Sequence, residues 1–186
     1  AADRAANNII RDCIISGVNT GTTSTTTYAG IISSSGTTLT SNADGANSDN
    51  TYDNNTIRSC YIGIALLGVA GNESGNVISG NTIGSAVAAN KIDYRGVYVS
   101  NQTGVNINNN TVFGVSGNNA GNANPTAGIT VGGSISGGSI YNNRISDVKN
   151  TNTVLWTALG INLQSTGTCS PALNIYNNFV WDVAGL

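Results

Sequence analysis

The sequence predicts an all-β fold, a right-handed parallel β-helix (solenoid) of about five stacked coils carrying an asparagine ladder. Three observations predict it. The chain is rich in Asn, Gly, Thr and Ser and poor in charge, an Asn-centred motif recurs six times, and a Gly plus β-branched step recurs five times at nearly constant spacing.

Composition sets the class. Of 186 residues, 39% are hydrophobic, enough for a single domain over 1–186 with a continuous core. The helix formers Glu, Lys, Gln and Met are scarce or missing, while turn and β-edge residues are abundant. Only 9% of residues are charged and the net charge is −2, so neither a nucleic-acid partner nor a polybasic membrane surface is expected. No apolar run is long enough to insert in a membrane, and Ala1-Ala2-Asp3-Arg4 has no signal-peptide pattern. Three cysteines, an odd number, leave the redox compartment open.

The motif reads Asn-Asn-Ile-Ile-Arg-Asp-Cys at 7–13 and Asn-Asn-Thr-Ile-Arg-Ser-Cys at 54–60, with weaker copies from Gly80-Asn81, Asn109-Asn110, Asn142-Asn143 and Asn177-Asn178. Taking Asn8, Asn55, Asn81, Asn110, Asn143 and Asn178 as origins, the residue two later is Ile10, Ile57, Ile83, Val112, Ile145 or Val180. Three further on stand Cys13, Cys60, Ala86, Val115, Val148 and Val183. Three before the origins stand Ala5, Tyr52, Ile78, Ile107, Ile140 and Ile175. These columns predict short strands on either side of a tight bend. Asn suits the bend because it tolerates left-handed backbone angles. With coils about 4.8 Å apart, equivalent amides bond up the axis as a ladder.

The second landmark is Gly30-Ile31, Gly63-Ile64, Gly96-Val97, Gly128-Ile129 and Gly160-Ile161, spaced 33, 33, 32 and 32 residues apart. Two residues after each β-branched position comes Ser33, Leu66, Val99, Val131 or Leu163, a period-2 pattern with one buried face. A unit of this size cannot bury its apolar face alone, so the units stack. Neither end shows a capping coil, which predicts a piece of a longer solenoid or a unit that stacks end to end.

The segments "VNINNNTVFGV", "GSIYNNRISDV" and "LNIYNNFVWDV" resemble the parallel β-helix repeats of the pectin-lyase-like superfamily. The resemblance implies a fold, not an activity, since that architecture carries lyases, glycoside hydrolases, tailspikes and adhesins alike. The low-charge, Asn/Thr/Ser/Gly-rich style is similar to large secreted surface proteins of Bacteroidetes-type bacteria, implying an extracellular or cell-surface location. The expected function is therefore a non-catalytic structural or adhesin-like segment, its partners glycans or other surface proteins. A polysaccharide-binding module or lyase acting on acidic glycans is the alternative, and ice binding a second one.

Candidate chemistry is thin. The resemblance extends to pectinolytic glycosidases, which as a family use clustered aspartates with a His, and this chain has no His and no Asp-Asp pair. Asp12, Asp147 and Asp182 share the motif register, a solvated column interrupted by Ser59, Ser85 and Gly114. Lys91, Asp93, Tyr94 and Arg95 form the densest cluster, with alternate residues expected on one face, either as a glycan-binding or partner-binding groove or as a surface ion pair.

Other features have plainer readings. The run Asn42-Ala43-Asp44-Gly45-Ala46-Asn47-Ser48-Asp49-Asn50 concentrates hard oxygen donors as calcium loops do, but without EF-hand spacing or a closing Glu; a polar turn is the plainer reading and no resident cofactor is expected. The run Thr22–Thr27 lacks the coil-by-coil repetition that ice binding needs. Cys13 and Cys60 are expected as reduced core thiols, within bonding reach if their coils are neighbours, and Cys169 as an exposed thiol. Phe113, Trp181 and Tyr98 are candidate exposed aromatics for stacking on a sugar or a partner.

Overall fold

The strands of the first sheet are short because every few residues the chain meets a residue suited to a bend. A computed structural model describes residues 5–18, 29–35, 47–69, 73–118, 125–152, 157–165 and 169–185. The first pass comprises β1 (Ile9–Arg11), β2 (Ile14–Ser16) and β3 (Ala29–Ser33), and the second β4 (Thr51–Asp53), β5 (Thr56–Arg58) and β6 (Ile62–Leu67), followed by the short β7 (Glu73–Ser74). The third has β8 (Val77–Ser79), β9 (Thr82–Gly84) and β10 (Arg95–Thr103), with a 3-10 turn at Ala88–Asn90. Then come β11 (Asn106–Asn108), β12 (Thr111–Gly117) and β13 (Thr126–Ser136), and after them β14 (Ser139–Tyr141), β15 (Arg144–Asn150) and β16 (Ala158–Ser165). The last are β17 (Asn174–Tyr176), β18 (Phe179–Val180) and β19 (Val183–Gly185).

Among the described residues all strand pairings are parallel and fall in three sheets, which makes the molecule a parallel β-solenoid. The first runs β1-β4-β8-β11-β14-β17, the second β2-β5-β9-β12-β15-β18 with β19 also on β15, and the third β3-β6-β10-β13-β16 with β7 on β10. The third sheet's five strands are separated by four steps, so about four turns close on all three faces. That is slightly fewer than the five coils read from the sequence, because landmarks count strands and n strands bound n−1 turns.

The core is the set of inward columns. Tyr52, Ile78, Ile107 and Ile140 fill it from the first sheet, Ile57, Ile83, Val112 and Ile145 from the second, and Ile31, Ile64, Val97 and Ile129 from the third, all buried. The glycine landmark has a steric cause. A Cβ on Gly30, Gly63, Gly96, Gly128 or Gly160 would stand 2.3–2.5 Å from a γ-carbon of Ile57, Ile83, Val112, Ile145 or Val180. Each coil therefore needs glycine where its third strand passes the second sheet's core column.

The asparagine ladder is present. The amide Oδ1 of Asn81 accepts from the backbone N–H of Asn55 at 2.9 Å and from its Nδ2 at 3.0 Å; Asn110 does the same for Asn81, Asn143 for Asn110 and Asn178 for Asn143. Each Nδ2 also donates to a carbonyl at 2.9 Å, so the buried amides are satisfied. The preceding residue takes φ near +55° at Asn54, Asn109, Asn142 and Asn177, and +64° at Gly80.

The first repeat departs from the expected register by five residues. β1 pairs with β4 so that Ile10 faces Tyr52, and β2 pairs with β5 so that Ile15 faces Ile57. Cys13, not Asn8, heads the long ladder, its N–H donating to Asn55 Oδ1 at 3.1 Å. Asn8 instead belongs to a second ladder: its N–H and Nδ2 donate to Asn50 Oδ1, and Asn50 N–H donates to Asn76 Oδ1. The reason is chemical. Both bends use a left-handed residue followed by Asn, as in Asn7-Asn8, Asp49-Asn50 and Gly75-Asn76, so the motif itself cannot say which bend it marks. Ala86 is likewise displaced: the segment around the 3-10 turn bulges out, Ala86 is exposed, and Ile92 takes the core place beside Val115.

Candidate functional site

The cluster Lys91, Asp93, Tyr94 and Arg95 leads from the 3-10 turn into β10, and the structure parts its charges. Lys91 Nζ reaches Asp147 Oδ2 at 2.7 Å, toward β15. Arg95 points across the outer face of the third sheet to Gln164 Oε1 on β16, 3.3 Å away. Asp93 is half-buried between them. The two cations therefore do not share a groove.

Asp147 collects two lysines, since Lys149 Nζ sits 2.7 Å from its Oδ1 and 3.3 Å from Asp182 Oδ2. Burial alone would raise the Asp147 pKa, but the hydrogen bonds from Lys149 and Lys91 outweigh it and hold the carboxyl below its usual range. Asp147 and Asp182 occupy neighbouring left-handed bends, as expected of one column. Asp12 does not join them. It lies at the bend before the ladder, where Asn54 Nδ2 donates to its Oδ1 at 2.7 Å. A carboxylate neutralised by two ammonium groups is a poor proton donor or acceptor near neutral pH, so this group holds coils together and offers no acid–base pair.

Arg95 is enclosed by rings. Its guanidinium carbon stands 4.5 Å from the ring centroids of both Tyr94 and Tyr98, and Nη2 donates to the Tyr94 hydroxyl at 2.9 Å. Tyr94 stacks on Tyr61 with centroids 5.0 Å apart. Burial pushes the Tyr94 phenol up to about 12 despite the nearby positive charge, so it stays a neutral donor and acceptor. With Ile62 and Ala65, these rings form a small apolar cluster outside the main core. Nothing in the sequence pattern distinguished this sleeve from an exposed cluster; the tyrosines at 61, 94 and 98 were its only trace.

Among the described residues no three His, Cys, Asp or Glu side chains gather to hold a metal. Of the acidic loop, residues 42–46 lie outside the described residues, as does the threonine run at 22–27. Asn47 Nδ2 donates to Ser33 Oγ, Asp49 is a bend residue, and Asn50 serves the second ladder. Thr56, Thr82 and Thr111 align across β5, β9 and β12, with Ile14 before them and Arg144 and Phe179 after, so the hydroxyl array is three residues long.

Cys13 is exposed and Cys60 buried, and neither they nor the exposed Cys169 form a disulfide. The register explains it, since Cys13 aligns with Asn55 and not with Cys60. The aromatic pairs Tyr141–Tyr176 and Phe179–Trp181, with centroids 5.1 and 4.8 Å apart, lie on the outside of the last strands, and Phe179 and Trp181 border a shallow concavity with Asn142, Arg144 and Asn177. Comparison with protein-family models, curated proteins and solved structures finds no match to this chain.

Proposed function

We propose that the chain is a non-catalytic structural or adhesin-like segment of a bacterial secreted or cell-surface protein, a rigid rod related to the pectin-lyase-like β-helices and to the surface proteins of Bacteroidetes-type bacteria. The observation that supports this reading is the unbroken ladder from Asn55 to Asn178, which ties each coil to the next through buried amides. Such a stack resists bending and shear because no coil can shift without breaking several paired groups. The ionisable groups favour the same reading: Lys91, Lys149, Asp147 and Asp182 satisfy one another, and Arg95 is 3% exposed.

In this reading the partners are glycans or other surface proteins met by loops and outer aromatics, with further coils or end-to-end self-stacking along the axis. The test is an assay of the purified chain against a panel of uronate polymers, with and without calcium, alongside labelling of intact source cells by an antibody to the chain. Surface labelling without depolymerisation is expected. Cleavage that disappears in Arg95→Ala would replace the reading with that of a polysaccharide lyase.

A further inference from the structure

The outer face of the third sheet carries an unbalanced set of polar groups. Register places Tyr98, Thr130 and Asn162 side by side on β10, β13 and β16, with Ser100, Gly132 and Gln164 as the next row on the same face. Arg95 starts on β10 and contacts Gln164 on β16, so its guanidinium passes over the strand that holds Thr130 and ends beside the strand that holds Asn162. Three side-chain atoms of this patch are buried without a hydrogen-bond partner: Arg95 Nε, Thr130 Oγ1 and Asn162 Nδ2. Their residues are 3%, 0% and 7% exposed.

What is missing can be read from the chemistry. Arg95 Nε–H and Asn162 Nδ2–H₂ only donate, and the Thr130 hydroxyl is free to donate. The ion pairs among the described residues engage Asp53, Asp147 and Asp182, none of them with Arg95. The guanidinium's neighbours are two ring faces, a phenol and an amide oxygen, all neutral. A buried cation without a counter-charge is costly, and cation–π contacts recover only part of the cost. A water molecule accepts two hydrogen bonds and brings no charge, which leaves one donor and the imbalance in place.

We propose that this patch is a binding site for a small anion, held by Arg95 Nε–H, Thr130 Oγ–H and Asn162 Nδ2–H and taken up as the chain folds. One negative charge with three acceptor directions completes the set, and a halide or the carboxylate of a small molecule supplies it. The rings of Tyr94 and Tyr98 keep the guanidinium out of water, which strengthens its pull on the anion.

The experiment uses the whole chain purified in sodium gluconate, whose anion is too bulky for the patch. Its thermal midpoint is followed as gluconate is replaced by bromide at constant ionic strength, with acetate in a parallel arm. A saturable rise is expected, about 5 °C or more once bromide is a hundredfold above half-saturation. Crystals grown in bromide should show an anomalous peak within hydrogen-bonding distance of the three named atoms. A response to acetate as well as bromide assigns the site to carboxylates and halides together, and a response to bromide alone assigns it to inorganic anions. Thr130→Val and Asn162→Leu, which leave Arg95 in its sleeve, should raise the half-saturating concentration at least several-fold. Arg95→Gln should abolish the response, and if that variant does not fold the other two decide. The proposal is overturned by a midpoint with no saturable bromide dependence, by an ordered water with no anomalous signal at the patch, or by unchanged half-saturation in both variants.

Discussion

Replacing Asn110 by leucine tests whether the ladder stabilises the coils or merely accompanies them. Asn110 is fully buried, and its side chain makes four hydrogen bonds: Nδ2 donates to Ile78 O and Asn143 Oδ1, and Oδ1 accepts from Asn81 N–H and Asn81 Nδ2. Leucine makes none of them. Asn143 Oδ1 keeps the Asn110 N–H, and Asn81 Nδ2 keeps Tyr52 O. The Asn81 backbone N–H loses its acceptor inside the protein, at about 1–3 kcal/mol, and the weakened Ile78 carbonyl and second Asn81 amide hydrogen bring the cost to about 3–5 kcal/mol. The added apolar burial returns about 1 kcal/mol, leaving a net loss of about 2–4 kcal/mol.

Asn178→Leu is the control. Its Oδ1 accepts the same pair of bonds from Asn143, but Asn178 is only half-buried, so water can replace part of what is lost and the cost falls to about 1 kcal/mol. Urea denaturation of the two variants should therefore differ by about 2 kcal/mol. Because stacked coils can unfold in parts, amide exchange at Asn81 supplies a local readout, expected to quicken by about tenfold or more in Asn110→Leu. Equal losses in the two variants, within about 0.5 kcal/mol, would refute the argument that burial gives the ladder its energy.

Two further outcomes follow from named contacts. Gly96→Ala puts a methyl group 2.3 Å from Val112 Cγ1 and 2.6 Å from Gly128 O, and should cost about 2 kcal/mol or more; adding Val112→Ala should restore only part, since the carbonyl contact remains. Full stability of Gly96→Ala in a denaturation experiment would remove the steric account of the glycine landmark. Glu73 is buried, and burial raises its pKa even though Gln102 Nε2 donates to its Oε2. The folded chain thus favours the protonated acid, so this group's contribution is present below the ordinary carboxylate range and is lost as pH rises through the raised value. A pH series of thermal midpoints should show that decline in the native chain and not in Glu73→Gln, and identical profiles would count against it.

The architecture was legible because it repeats. Five glycines at 32 or 33 residues and an Asn-centred motif specify stacked short strands, and each has a cause in the coil's cross-section: the glycine clears the Val or Ile opposite, and the Asn closes the ladder. The outer face was not legible. Whether Arg95 meets solvent or lies between two tyrosines depends on what covers the third sheet, and alternation back from the core residues Val97 and Val99 would place Arg95 inward, whereas its guanidinium lies against Tyr94 and Tyr98. Lys91 shows the same limit. Its partner Asp147 is 56 residues away, and no local spacing encodes that pairing.

The five-residue slip in the first repeat carries the most general point about this fold. Both bends flanking the first sheet are solved by the same pair, a left-handed residue and an Asn, so a match at five of seven positions between 7–13 and 54–60 is outweighed by the pairing that places Ile10 on Tyr52 and Ile15 on Ile57. The choice has a consequence further along. The long ladder continues to Asn178, whereas the second stops because Val105 occupies the bend position where a fourth Asn would stand. Asn76 Nδ2 then has no ladder amide on that side and donates to Gln102 Oε1, and Gln102 Nε2 donates to Glu73 Oε2. A ladder of amides passes its donors in one direction, so where it ends inside the protein something must accept the last of them. The buried carboxyl of Glu73 fills that role, which accounts for an acid with 0% exposure in a chain that has so few charges.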